Sequence, residues 1–309
     1  MASQKEIIEQ VSTEILDLME KHGTDWTKPW ASTAASGLPF NTVTKKAYQG
    51  INSFWLGLAA YNKSYTSNEW GTFKQWSGKG GSIIKGSKAT DIFFWKPLKI
   101  DDKDASGKIK TDAEGKKLTK NIWLLKGYKV FNIDQVDGID KPAAADKPEP
   151  VQFDQVFADN LVAATGADIR HGGGSAHYAP GSDHIQMPVK EDYVGTDTST
   201  AEEAYYSTLL HELVHWSGHK TRLDRFKSNS FFGNSEYAFE ELVAETGAAI
   251  LSVITGVSHA PRADHAKYLN NWKKAIKDNP KAIFSAFTKA NQAVEFLNPT
   301  AEVAQQDAA

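Results

Sequence analysis

His211-Glu212-Leu213-Val214-His215 is the stretch of this sequence whose residue types and spacing prescribe chemistry. On a helix, positions i and i+4 share a face, so both imidazoles can reach one metal ion. Glu212, beside the first imidazole, can take a proton from water on that ion. Two ligands and a general base thus fit in five residues, the pattern of a zinc hydrolase. The 309 residues contain no cysteine, which excludes disulfides and thiolate zinc sites. Zinc would have to be held by His and carboxylate, and the expected cofactor is one Zn²⁺ per chain, with another divalent ion such as Mn²⁺ as the alternative.

The surroundings agree with a helix. Thr200-Ala201-Glu202-Glu203 has the form of a capping box, and Leu209, Leu210, Leu213 and Val214 form an apolar stripe. The spacing predicts a helix over 200–217 that ends near Gly218. A third ligand is needed for an open tetrahedral site. His219 is one candidate, but the H-E-x-x-H-x-x-G-x-x-H pattern requires histidine at position 221, which is Thr221. The other lies in Glu240-Glu241-Leu242-Val243-Ala244-Glu245, within a second helical pattern that runs from about Asn234-Ser235 to Gly256. Glu241 and Glu245 share a face there, and Glu240 is the rival for the ligand role. An acid pair of this spacing after H-E-x-x-H resembles the gluzincins. That resemblance implies that Glu241 is the third ligand and that Glu245, one turn on, accepts a hydrogen bond from a ligand histidine.

The elements that carry these residues belong to an acidic half of the chain. Residues 1–136 contain 20 Lys and 14 acids, net +6, whereas 137–309 contain 15 Lys plus Arg and 24 acids, net −9. Between them, 137–150 holds three prolines and no apolar period, and reads as an exposed linker. The expected division is a module over 1–136, the linker over 137–150, a second module over 151–298 and a disordered tail over 299–309. No run approaches the ~18 apolar residues of a membrane helix and no signal-peptide core follows Met1, so a cytoplasmic protein is expected.

The basic module opens with an amphipathic helix, about 4–21, whose Ile7, Ile8, Val11, Ile15, Leu18 and Met19 share a face. Seven of the nine tryptophans precede residue 137, and lysines are interleaved with the rings around Trp70-Gly71-Thr72-Phe73-Lys74-Gln75-Trp76-Ser77-Gly78-Lys79 and Ile84-Lys85-Gly86-Ser87-Lys88. Rings for stacking bases and cations for tracking phosphates suit single-stranded nucleic acid. Phe93, Phe94 and Trp123 lie instead in strand-like runs and read as core. Strands are expected at 83–84, 91–95 and 121–131, with a charged, mobile hairpin tip over Lys99–Lys120. In the second half, 167–171, 175–179 and 184–188 read as short strands beside the metal helix. One of His177, Tyr178 and His184 is placed to stabilise an oxyanion. Two packing helices follow Gly256.

Pro29-Trp30, Pro39-Phe40-Asn41, Tyr48-Gln49-Gly50-Ile51-Asn52, Trp70 to Gln75 and Lys85-Gly86 together resemble the N-terminal single-stranded-DNA-binding domain of the ArdC antirestriction proteins, also found in TraC-type plasmid primases. The second half resembles the zincin-like domain that accompanies it, through Gly172 to Tyr178, Asp183-His184-Ile185, Leu209 to Gly218 with Arg222-Leu223, and Tyr237 to Glu245. The resemblance covers about 5–298 and implies an α+β protein in which an ssDNA-binding domain is joined to a gluzincin-type metallopeptidase domain. Its expected partners are single-stranded DNA and a host protein substrate, and its expected task is protection of incoming plasmid DNA from restriction during conjugation. On this reading Trp30, Tyr48, Asn52, Trp70, Phe73, Lys74, Trp76, Lys79, Lys85 and Lys88 contact DNA. The rival readings are a DNA-coating protein with a structural or inactive zinc site, and a peptidase toxin acting on host proteins. No nucleotidyl-transfer domain is visible in the sequence.

Overall fold

An apolar stripe with helical period must be covered, and the first helix sets how the molecule does so. In the computed structural model, which describes residues 4–23, 26–27, 37–104, 106–112, 114–141, 152–195, 199–226, 235–257 and 265–298, α1 (Gln4–His22) buries Ile7, Ile8, Val11, Ile15 and Met19. It packs on β5 (Thr119–Asn132) and on α7 (His265–Asp278), and Ser12 Oγ donates to the Pro280 carbonyl at 2.9 Å.

The first half is built on a four-stranded sheet of order β1-β2-β5-β4. Here β1 (Phe40–Asn41) runs parallel to β2 (Glu69–Thr72), and the β2/β5 and β5/β4 pairs are antiparallel. Helix α2 (Ile51–Asn62) lies against β4 (Thr90–Asp101). Phe54, Trp55 and Leu58 enter one core cluster, while Leu56 and Ala60 enter another with Tyr48, Trp70, Ile92 and Val130. A helix covered on both sides has no polar face, so its sequence shows no amphipathic period. A short α3 (Phe73–Gly78) follows, opened by a Thr72/Gln75 capping box. Then β3 (Ser82–Ile83) pairs with β6 (Val136–Asp137), and Ile139 packs against the cluster of Trp76, Ile133 and Val136.

Strands β4 and β5 form one long arm paired without a break from Thr90↔Val130 to Asp101↔Thr119. The base of the expected mobile tip over Lys99–Lys120 is therefore strand, at 99–101 and 119–120. Beyond it, Lys103 bridges Ile109 and Thr111 bridges Lys117. Asp104 Oδ1 accepts from the Ser106 and Lys108 amides, and Asp112 Oδ1 from those of Glu114 and Lys116, so two Asx-type turns order the charged end.

The second half adds α4 (Gln155–Thr165) and a three-stranded sheet of order β7-β9-β8: β7 (Asp168–His171), β8 (His177–Ala179) and β9 (His184–Met187). The sheet packs on α5 (Ala201–Ser217), which crosses α6 (Ser235–Thr255); α8 (Ala282–Leu297) closes the assembly. Gly256, at φ +71°, ends α6 where a Cβ would collide with the Gln152 carbonyl oxygen. One apolar cluster runs through both halves. Phe54 meets Phe287 at 5.0 Å between centroids and Phe93 meets Phe284 at 5.9 Å, while the Gly50 amide donates to Asn291 Oδ1 at 3.3 Å. The expected tail over 299–309 and most of the expected linker, 142–150, lie outside the described residues. Among the described residues, no helix is long and apolar enough to cross a membrane.

Candidate metal centre

Thr200 Oγ1 accepts a hydrogen bond from the Glu203 amide and the Glu203 carboxylate accepts one from the Thr200 amide, so α5 begins as its capping box requires. Seventeen residues of helix then carry His211, Glu212 and His215 into the interior, where they are 3%, 3% and 8% exposed. Gly247 lets α6 come close, since a Cβ there would lie 2.9 Å from Val214 Cγ2 on α5. That approach brings Glu241 to both imidazoles. His211 Nε2 lies 3.1 Å from His215 Nε2, and Glu241 Oε2 and Oε1 lie 3.6 and 3.5 Å from them respectively.

One donor atom from each of His211, His215 and Glu241 falls within 4.8 Å of the other two. Two imidazole nitrogens and one carboxylate oxygen, buried and converging, suit a divalent ion and match the donor set of catalytic zinc sites. A carboxylate lies behind each ring as well. Glu245 Oε2 lies 3.8 Å from His211 Nδ1, and Glu240 Oε1 lies 3.5 Å from His215 Nδ1. Arg225, 9% exposed, grips Glu240 through Nη2 at 2.7 Å and Nε at 3.2 and 3.3 Å. It also donates to Ser217 Oγ at 2.9 Å and to the Val214 carbonyl. Glu240, the rival for the ligand role, is thus turned to the back of His215.

The charges follow from this packing. Burial alone would make His215 less basic, but the carboxylates of Glu241, Glu240 and Glu212 outweigh it and raise its pKa to about 10. Burial would raise the Glu241 pKa in turn, yet the two imidazoles hold it well below the usual carboxylate range. Glu240 is lowered too, by His215 and Arg225 against its burial. A cluster that gathers a proton this firmly is one in which a metal ion can take the proton's place.

His219 is not among the converging donors: its Nδ1 faces Thr221 Oγ1 at 2.8 Å. The expected oxyanion groups are engaged elsewhere or exposed. Tyr178 donates to Asp183 at 2.7 Å and receives Arg222 at 3.3 Å, His184 Nδ1 meets Ser182 Oγ at 2.8 Å, and His177 lies exposed on β8.

Two family models match the chain: the N-terminal domain of anti-restriction factor ArdC over residues 5–131, and a zincin-like metallopeptidase over 157–289. The metal-free crystal structure of the antirestriction ArdC protein from the R388 plasmid is 34% identical, with a TM-score of 0.75 over 97% of this chain and 99% of that one. The chain belongs to the ArdC antirestriction family. The Mn(II)-bound structure of the same R388 ArdC superposes with a TM-score of 0.72 at 34% identity, over 96% of this chain and 99% of that one. Protein y4eC of Sinorhizobium fredii is 35% identical over 98% of this chain and 94% of its own length. The DNA primase TraC of Escherichia coli is 34% identical over 96% of this chain, which spans only 20% of that primase.

For an ArdC relative, the expected DNA-contacting residues divide sharply. Tyr48, Asn52, Trp70 and Trp76 are 1%, 5%, 0% and 0% exposed, so the expectation that they face DNA is corrected. Tyr48 and Trp70 fill the core beneath the sheet, and Trp76 Nε1 donates to the Phe131 carbonyl at 2.9 Å. Asn52 pairs both backbone groups of Phe93 at 2.7 Å, a structural clamp on strand β4. A small sheet needs these rings for its own core, and interleaved lysines do not reveal which side a ring faces. Phe73 is 63% exposed, and Lys74, Lys85 and Lys88 are exposed near it in sequence. Lys79 is partly tied to Thr42 at 2.9 Å and to Glu69 at 3.5 Å. Trp30 lies outside the described residues. Conversely Trp123, expected in the core, is 62% exposed. Sequence reasoning missed Arg225 and the role of Glu240; the only signal was an arginine ten residues after His215, with no periodicity to point it inward.

Proposed function

We propose that this ArdC-family chain is a zinc-dependent peptidase that also binds single-stranded DNA and protects incoming plasmid DNA from host restriction. The observation that carries the peptidase reading is the convergence of His211, His215 and Glu241 beside Glu212, with Glu240 and Glu245 behind the two rings. A divalent ion bound by those three side chains supplies Lewis acidity to a scissile carbonyl and lowers the pKa of water at the site. Glu212 takes the proton of the attacking water and passes it to the departing amine. Glu245 and Glu240 fix ring orientation, so that the Nε2 atoms keep their lone pairs toward the centre. The DNA reading is supported by the net charge of +6 on residues 1–136 and by the match to the ArdC N-terminal domain.

The test combines elemental analysis with proteomics of recipient cells. His211→Ala, His215→Ala and Glu241→Ala should bring bound zinc below one per chain, whereas Glu212→Gln should retain it and abolish the protein cleavages seen with the wild type. Unchanged zinc in Glu241→Ala would remove it as the third ligand. Identical cleavages in Glu212→Gln and wild type would defeat the peptidase reading and favour a DNA-coating protein.

A further inference from the structure

An open groove of about 870 Å³ separates the β4–β5 arm from α8. Residues 93, 95, 97 and 99 of β4 share one face of the arm with their partners on β5. Moving outward from the core, that face presents Phe93, then Trp95 opposite Leu125, Pro97 opposite Trp123, and Lys99 opposite Asn121. Phe93 and Leu125 are buried, while Trp95 is 37% and Trp123 is 62% exposed. These two large rings lie diagonal to each other and reach solvent, and an exposed apolar patch of this kind marks an interaction site. The opposite wall is polar, with Gln292 from α8 and Gln49 at the floor. The buried Nε2 of Gln49 has no hydrogen-bond partner among the described residues.

The arm is also basic, since residues 90–132 hold ten lysines and six acids. Lys99 makes no ion pair among the described residues. The carboxylate that lines the groove, Glu295, is bound by Asn291 at 2.9 Å. An extended peptide suits the groove poorly. At the free edge of β4, Asn52 already occupies both backbone groups of Phe93 and Pro97 has no N–H, so an added strand would meet an interrupted row of partners.

We propose that this groove seats the bases of single-stranded DNA, with Trp95 and Trp123 as stacking platforms, Gln49 and Gln292 facing base edges, and arm lysines such as Lys99 on the phosphates. It deepens the DNA-binding reading above and rests on it. The interface then lies between the two halves of the chain rather than on the Trp70–Trp76 segment. Base–aromatic stacking tolerates any sequence, and the lysine contacts make affinity fall with salt.

The experiment is fluorescence anisotropy of a labelled oligothymidylate of about 16 nucleotides with full-length protein, wild type against Trp123→Ala, Trp123→Phe and the double variant Trp95→Ala/Trp123→Ala. Each lost ring should weaken binding about tenfold, and Trp123→Phe should restore most of that loss. An abasic strand of equal length should bind the wild type about as weakly as oligothymidylate binds the double variant. Trp123 is exposed, so its replacement leaves the fold intact, which an unchanged melting curve would verify. Equal binding by wild type and double variant would overturn the groove while leaving the DNA reading standing. Equal binding of abasic and thymidylate strands by the wild type would overturn stacking in favour of charge alone. No binding by the wild type would refute the DNA reading itself.

Discussion

His215 shows how single residues carry the account. Its pKa of about 10 lies above the ordinary 6.5, so at neutral pH the metal-free protein holds a proton there. In that form the stabilisation is complete below pH 6.5 and is lost as pH rises through about 10. A metal must displace the proton, and its affinity should therefore rise with pH up to about 10, with one proton released per ion. Calorimetry in two buffers of different ionisation enthalpy measures that release; metal affinity independent of pH between about 7 and 9 would contradict the assignment. Glu240→Gln should weaken metal binding by about 10- to 100-fold without removing a ligand, because Glu240 bonds the back of His215 and is itself held by Arg225. Undiminished affinity, read by competition with a chelator, would make the Arg225–Glu240 pair merely structural. The ligand pair and the base were legible because i, i+4 spacing fixes them on one face. Which of the adjacent acids Glu240 and Glu241 turns inward was not legible, since it depends on how α6 is rotated against α5.

Helix α1 was legible because it has one wet and one dry face, whereas α5 and α6 are buried nearly all round and were legible from the capping box, the H-E-x-x-H spacing and the stops at Gly218 and Gly256. Helices α1 and α5 begin and end within a residue or two of the expected limits, and α6 spans Ser235–Thr255 against an expected stop near Gly256. Helix α2, buried on both sides, carries no such period, and it holds the Asn52 clamp whose residue read as a DNA contact. The crossing of α5 and α6 depends on Gly247, whose added Cβ would press on Val214 at 2.9 Å. Gly247→Ala should cost ~1–3 kcal/mol by overpacking and shift Glu241 away from the imidazoles, so that zinc affinity falls together with melting temperature. A normal zinc affinity in a destabilised Gly247→Ala protein would separate the crossing from the site. Loss of the Thr200 cap on α5 is expected to be milder: Thr200→Ala should cost ~1 kcal/mol and leave zinc stoichiometry unchanged. Zinc falling below one per chain would mean that the first turn also positions His211.

Across the whole molecule, the charge asymmetry was legible from composition, and the α+β class from the resemblance together with the helical and strand patterns. The shared core was not, because packing between Phe54 and Phe287 joins residues far apart in sequence. Phe287 is 1% exposed, and Phe287→Ala should cost ~3–5 kcal/mol. Because Phe54 and Phe93 belong to the same cluster as the helices of the second half, near-UV and far-UV signals should melt in one transition. Two resolved transitions in wild type would mean that the halves fold independently. The central claim is that a metal-dependent peptidase acts in the protection of transferred DNA. It is tested most directly by the transfer of an unmodified plasmid into restricting and non-restricting recipients, with wild-type protein against Glu212→Gln. Glu212→Gln should keep its zinc and its affinity for single strands yet lose protection in the restricting recipient only. Full protection by Glu212→Gln would contradict it.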